Sequence, residues 1–137
     1  MVQNNWVYQR GDIYYADLDP VIGSEQGGIR PVVILQNDTG NWHSSTVIVA
    51  TVTTKTDKKE NQPTHSLIKN NPAFRQASTI QLEQIRTIDK KRIKEYMGKV
   101  SSTEMRAIES SIIVSLALKH YRRVKGCAAQ KFMKPKE

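Results

Sequence analysis

Gly27-Gly28-Ile29-Arg30-Pro31-Val32-Val33-Ile34-Leu35-Gln36 is the stretch on which the fold turns. Two consecutive glycines free the backbone to take positive φ or to let another molecule come close. Pro31 disfavours a helical conformation at Arg30, so the chain enters the apolar run extended. Pro31 to Gln36 therefore reads as a buried strand. Arg30 is left at the mouth of that strand, beside a pliable loop that also carries Glu25. A guanidinium fixed in such a place is well suited to holding a phosphate.

Working outward, the same strand signal recurs. Asp12 to Leu18 is rich in β-formers and ends at the turn pair Asp19-Pro20. Asn37-Asp38-Thr39-Gly40-Asn41 is a turn, and Thr46 to Val52 is another buried-type strand. Residues 53–63 form a polar loop closed by Pro63. His65 to Ile68 and Ser78 to Leu82 read as short strands separated by Asn70-Asn71-Pro72. Gln84 to Ile88 continues extended, and Ile93 to Val100 supplies a last strand. Then the period changes. Ser101 and Glu104 form a capping box, and Met105, Ile108, Ile112 and Leu116 follow at helical spacing. This predicts a helix from about 102 to 119. Ile112 to Leu118 is apolar on nearly every side, which calls for cover by the sheet and by a second subunit. The fold class is mainly β with α, a small antiparallel barrel packed by a C-terminal helix.

The 137 residues predict one domain, over about 1–118, and a net charge of +8 invites a nucleic-acid partner. Most of that excess lies in 119–137, where five Lys and two Arg face one Glu. This segment shows no apolar period and reads as a flexible basic tail. A denser cluster, Arg86, Lys90, Lys91, Arg92 and Lys94, is opposed by Asp89 alone; it reads as a solvated face or a polyanion contact. One cysteine, Cys127, excludes an intramolecular disulfide. No apolar run is long enough to span a bilayer and no leader is visible, so the expected compartment is the cytoplasm.

Residue types narrow the chemistry. His43, His65 and His120 are scattered, without the spacing of metal ligands, and His65 reads as a structural histidine. No nucleophile elbow is present, and no Gly-Lys-Thr/Ser follows the glycine pair. Glu25 and Arg30 are the best polar pair, with Thr53 a third candidate where its strand opens into the loop. Read from residue types alone, Glu25 and Arg30 are either a phosphate-handling pair or a salt bridge flanking a turn.

Arg10-Gly11-Asp12-Ile13-Tyr14-Tyr15-Ala16-Asp17-Leu18-Asp19-Pro20, followed by Gly23-Ser24-Glu25-Gln26-Gly27-Gly28-Ile29-Arg30-Pro31, resembles the opening of the MazF/PemK toxins. Gln36-Asn37-Asp38, Thr46 to Ala50, Pro63-Thr64-His65 and Leu82 to Lys90 continue the resemblance in order, over about residues 10–118. It is strongest toward MazF-type toxins of Gram-positive bacteria. The resemblance implies an SH3-like, plasmid-toxin barrel and the toxin of a type II toxin–antitoxin system. It implies a sequence-specific endoribonuclease that cleaves single-stranded mRNA, with no metal or other cofactor, as a homodimer neutralised by a MazE-like antitoxin. Arg30 and Thr53 then match the family's catalytic arginine and threonine, and Glu25 a supporting loop glutamate. Ser24, Gln84 and Arg86 fall where substrate binds.

Residues 54–62 and Trp42 depart from the family pattern, in loops where base preference is set, and the basic tail extends past the usual end. Two other readings use much of the same sequence: a non-catalytic nucleic-acid-binding barrel, and a toxin of this fold that poisons DNA gyrase. A purely structural oligomer would use only the apolar helix end.

Overall fold

The computed structural model describes residues 6–54 and 62–119. Within them, one antiparallel sheet contains β1 (Asp12–Asp17), β2 (Ile29–Ile34), β3 (Thr46–Thr53), β4 (His65–Ile68), β5 (Ser78–Asp89) and β6 (Ile93–Lys99). Their order is β4-β5-β3-β2-β1-β6. Two helices, α1 (Asp38–His43) and α2 (Ser102–Leu116), complete the described fold.

Most of β2 and β3 is buried on both faces, which is why their sequences run apolar without alternation. Ile13, Val33, Ala50, Val52, Ile80 and Leu82 pack with Ile108 of α2 on one face. Tyr14, Val32, Ile34, Val47, Val49 and Ile88 fill the other. The outer strands are β4 and β6, and side chains draw their ends together. Buried Asn71, just after β4, donates to the Lys99 carbonyl of β6 and to Glu104 Oε1, both at 2.9 Å. Gly98 lies so near Ala73 that a Cβ there would sit 3.2 Å from the alanine's own. The result is the small helix-packed barrel anticipated from the strand pattern, its seam held by side chains instead of a ladder.

Two elements, α1 and the end of α2, differ from expectation. The turn at Asn37–Asn41 opens a short helix, α1, because the Asn37 side chain caps it by accepting from the Gly40 N–H at 2.8 Å. Ser78 to Leu82 and the extended Gln84 to Ile88 form one strand, β5, with an irregularity inside it. Helix α2 begins at the predicted capping box, where Ser101 and Glu104 satisfy each other's backbone N–H groups. It stops at Leu116, short of 119, because Ala117 turns left-handed at φ 55°.

Met105, Ile108 and Ile112 of the apolar stripe on α2 face the core, and the stripe leaves it only at the helix end. Ile112 packs on the core, whereas Leu116 is 54% exposed. Ser111 and Ser115 take the sheet-facing positions, donating to the carbonyls of His65 (3.3 Å) and Leu82 (2.7 Å). At the start of β1, buried Asp12 accepts from the Gln9 N–H and the Tyr14 hydroxyl. Burial nonetheless raises its pKa above the ordinary carboxylate value, against the lowering effect of those bonds and of Lys99. The expected basic tail lies, beyond Lys119, outside the described residues, as do loop positions 55–61.

Candidate active site

The glycine-rich loop between β1 and β2 is built by its own hydrogen bonds. Leu18 N–H donates to the Gly28 carbonyl, and Gly28 N–H to Asp19 Oδ1, both at 2.9 Å. Gly27 allows the chain to pass that carboxylate, since a Cβ there would lie 2.6 Å from Asp19 Oδ1 and 2.8 Å from Val21 Cγ2. Gly28 takes φ 78°, a left-handed conformation that costs a residue with a Cβ. Glu25 Oε1 accepts from the Ile22 N–H at 2.9 Å, closing the loop tip. Its hydrogen bond thus goes to the loop backbone, and no ion pair joins Glu25 to Arg30.

Two arginines from different strands hold consecutive carbonyls of this loop. Arg30 of β2 donates through Nε to Gly27 O at 2.8 Å, and Arg86 of β5 through Nη1 to Gln26 O at 2.9 Å. The bond from Arg86 to Gln26 thereby links two clefts. The larger, about 540 Å³, is lined by Arg30, Thr53, Thr54, Pro31, Phe74 and Ser78, among others. The smaller, about 330 Å³, is lined by Glu25, Glu83, Gln84, Ile85, Arg86 and Thr87.

Strand register brings Arg30 and Thr53 together. β2 and β3 pair antiparallel through Val32 and Thr51. Continuing that register two residues toward the mouth puts Arg30 opposite Thr53, and directly opposed side chains share a face. With Nε committed to Gly27, the two Nη nitrogens of Arg30 make no hydrogen bond among the described residues. Half-buried Phe74 and exposed Ile29 add apolar walls to this cleft.

The sequence candidates thus divide between two adjoining sites. Arg30 and Thr53 share the larger cleft, while Glu25, Gln84 and Arg86 line the smaller. Ser24 is exposed on the loop and lines neither. Phe74, Ser78 and the carbonyls of Gln26 and Gly27 were not singled out from sequence. An aromatic in an Asn/Pro-rich loop was the one available signal among them. Among the described residues no group of three or more His, Cys, Asp or Glu side chains is placed to hold a metal ion.

The sequence pattern of the PemK-like, MazF-like toxins of type II toxin–antitoxin systems matches residues 9–116. This chain belongs to the MazF/PemK toxin family. The toxin is 52% identical over 119 residues to the endoribonuclease MazF of Staphylococcus saprophyticus, covering 86% of this chain and 98% of that relative. Its fold is similar to that of Deinococcus radiodurans MazF, with a TM-score of 0.71 at 19% identity over 83% of this chain and 100% of the other. It is also similar to a mycobacterial endoribonuclease solved with its cognate antitoxin, at TM-score 0.68, 23% identity and coverage of 81% and 96%. At those identities the likeness to the solved structures concerns the fold alone. No helix among the described residues is long and apolar enough to cross a membrane.

Proposed function

We propose that this toxin is a metal-independent, sequence-specific endoribonuclease that cuts single-stranded mRNA and so halts translation. The observation that carries the reading is Arg30, anchored through Nε and opposed by Thr53 at the mouth of β2 and β3. The substrate's own 2′-hydroxyl attacks the adjacent phosphorus in line and loses its proton to water. The bond from phosphorus to the 5′-oxygen of the next nucleotide breaks, and that oxygen takes up a proton from water. Negative charge gathers on the non-bridging oxygens in the transition state. The guanidinium fork of Arg30 suits those oxygens and is already oriented, so little reorganisation accompanies the reaction. Thr53 donates a second hydrogen bond and orients the phosphate. The products are a 2′,3′-cyclic phosphate and a 5′-hydroxyl.

RNA on one side of the scissile phosphate extends past the Gln26–Gly27 segment into the smaller cleft, where Gln84 and Arg86 contact it. Glu25 supports this path by holding the loop tip. The toxin works in the cytoplasm as a homodimer, and a MazE-like antitoxin lays an acidic, disordered segment over the cationic groove and folds on binding.

The test is a labelled single-stranded RNA with one 2′-hydroxyl replaced by hydrogen at the scissile nucleotide. Cleavage there is expected to vanish while binding persists, and the unmodified RNA is expected to be cut at the normal rate in EDTA. Continued cutting of the deoxy substrate would exclude the internal nucleophile. Loss of activity in EDTA would exclude the metal-free route.

A further inference from the structure

The irregularity inside β5 lies beside the smaller cleft. β3 and β5 pair Ala50 with Ile85, and the next pair is Thr51 with Gln81. Leu82, Glu83 and Gln84 are therefore extra on β5. A three-residue interruption of a ladder leaves backbone and side chains without the partners that normally fix a strand. Here they are fixed by other elements.

Leu82 is held on three sides. Its side chain is fully buried, its N–H donates to the Thr64 carbonyl at 2.9 Å, and its carbonyl accepts from Ser115 Oγ of α2 at 2.7 Å. Glu83 is gripped at both oxygens. Thr64 Oγ1 donates to Oε1 at 3.2 Å, and His65 Nε2 lies 2.9 Å from Oε2. The His65 side chain is itself almost wholly buried, and Ser111 of α2 donates to its carbonyl. Gln84 is half-buried, and its side chain makes no hydrogen bond among the described residues.

We propose that Thr64, His65 and Glu83, backed by Ser115, are positioning residues for substrate selection: they lock the β5 interruption, and with it the backbone from which the Gln84 amide reaches an RNA base. A primary amide reads base edges within its reach, and a backbone held in one place narrows which edges those are. A carboxylate clamped at both oxygens, one residue before Gln84, restrains that backbone. His65, read from sequence as structural, thereby acts on specificity through Glu83. The inference rests on the reading that RNA occupies the smaller cleft.

Glu83 is suited to a test, because its side chain is 38% exposed and its removal leaves the core intact. Kinetics would be measured for wild type, Glu83→Ala, Glu83→Gln, Thr64→Val and Gln84→Ala, on a preferred RNA and on single-base variants of it. Glu83→Ala is expected to raise KM on the preferred RNA about three- to ten-fold, the worth of one or two lost hydrogen bonds. It should also shrink discrimination among the base variants, with kcat at saturation and the melting temperature little changed. Glu83→Gln should recover most of the loss, since its amide still accepts from Thr64 and donates to His65 in the other tautomer. Thr64→Val should show a smaller effect of the same kind. Wild-type KM and selectivity in Glu83→Ala, with Gln84→Ala impaired, would overturn the clamp alone. An unimpaired Gln84→Ala would overturn the RNA path and the clamp together. A fall in kcat with unchanged selectivity in Glu83→Ala would also count against it, placing Glu83 with the reaction and not with recognition.

Discussion

At the scale of single residues, Arg30 is the position where sequence, structure and chemistry meet most closely. Its Nε is tied to the Gly27 carbonyl, so the planar group has one fixed edge and directs the remaining donors elsewhere. Lysine cannot reproduce this. Its single ammonium must choose between the loop carbonyl and the phosphate, and it offers no paired donors. Arg30→Lys is therefore expected to lower the single-turnover cleavage rate by about 10²–10³, as for loss of one oriented transition-state donor. Ground-state RNA binding should fall much less, because the charge remains. Rapid-quench cleavage at saturating protein, with affinity from a filter assay, separates the two effects. A near-normal rate would remove Arg30 from the reaction. The arginine was legible because a glycine pair and a proline frame it. The Gln26 and Gly27 carbonyls that accept from the two arginines were not, since every residue has a carbonyl and only the folded loop reveals which ones turn toward them.

Single elements show which local signals survive folding. Strands β2 and β3 were plain from their β-branched runs, and the start of α2 from its capping box, because these preferences agree with the tertiary structure. Helix α1 was hidden: Asp38–His43 has no apolar period, contains Gly40, and is held by Asn37 and by buried Asn41. The roles of Ser111 and Ser115 on α2 were hidden as well, because a serine facing the sheet is favoured only when a carbonyl waits for it. The end of α2 is a Schellman motif, with Ala117 N–H donating to Val114 O and Leu118 N–H to Ile113 O. The left-handed position holds alanine at φ 55°, where glycine is the usual residue. Ala117→Gly removes the Cβ strain and gives back part of the gain as chain entropy, so the expected net stabilisation is about 0.5–1 kcal/mol. Urea unfolding followed by circular dichroism would register it as a higher midpoint at unchanged slope. A lower midpoint would mean that the alanine methyl contributes packing that outweighs the strain.

For the molecule as a whole, the apolar end of α2 poses the clearest physical demand. Val114, Leu116 and Leu118 are each about half exposed in the single chain, at 50%, 54% and 50%. Isolated exposed leucines are ordinary, but several at one helix end mark a surface that another protein covers. The sequence called for such cover, and the structure shows which side chains the barrel leaves out: Ile108 and Ile112 go to the sheet, and Leu116 does not. Under the homodimer proposal, a second copy supplies the missing surface. Leu116→Glu then places a carboxylate in a contact that should be apolar. Sedimentation equilibrium at micromolar concentration is expected to give a two-chain mass for the wild type and mainly a one-chain mass for the variant. Because Leu116 closes the helix and packs outside the core, the far-ultraviolet spectrum and the unfolding cooperativity should be preserved. A two-chain mass for both proteins would place the dimer contact elsewhere and leave the apolar helix end to another partner.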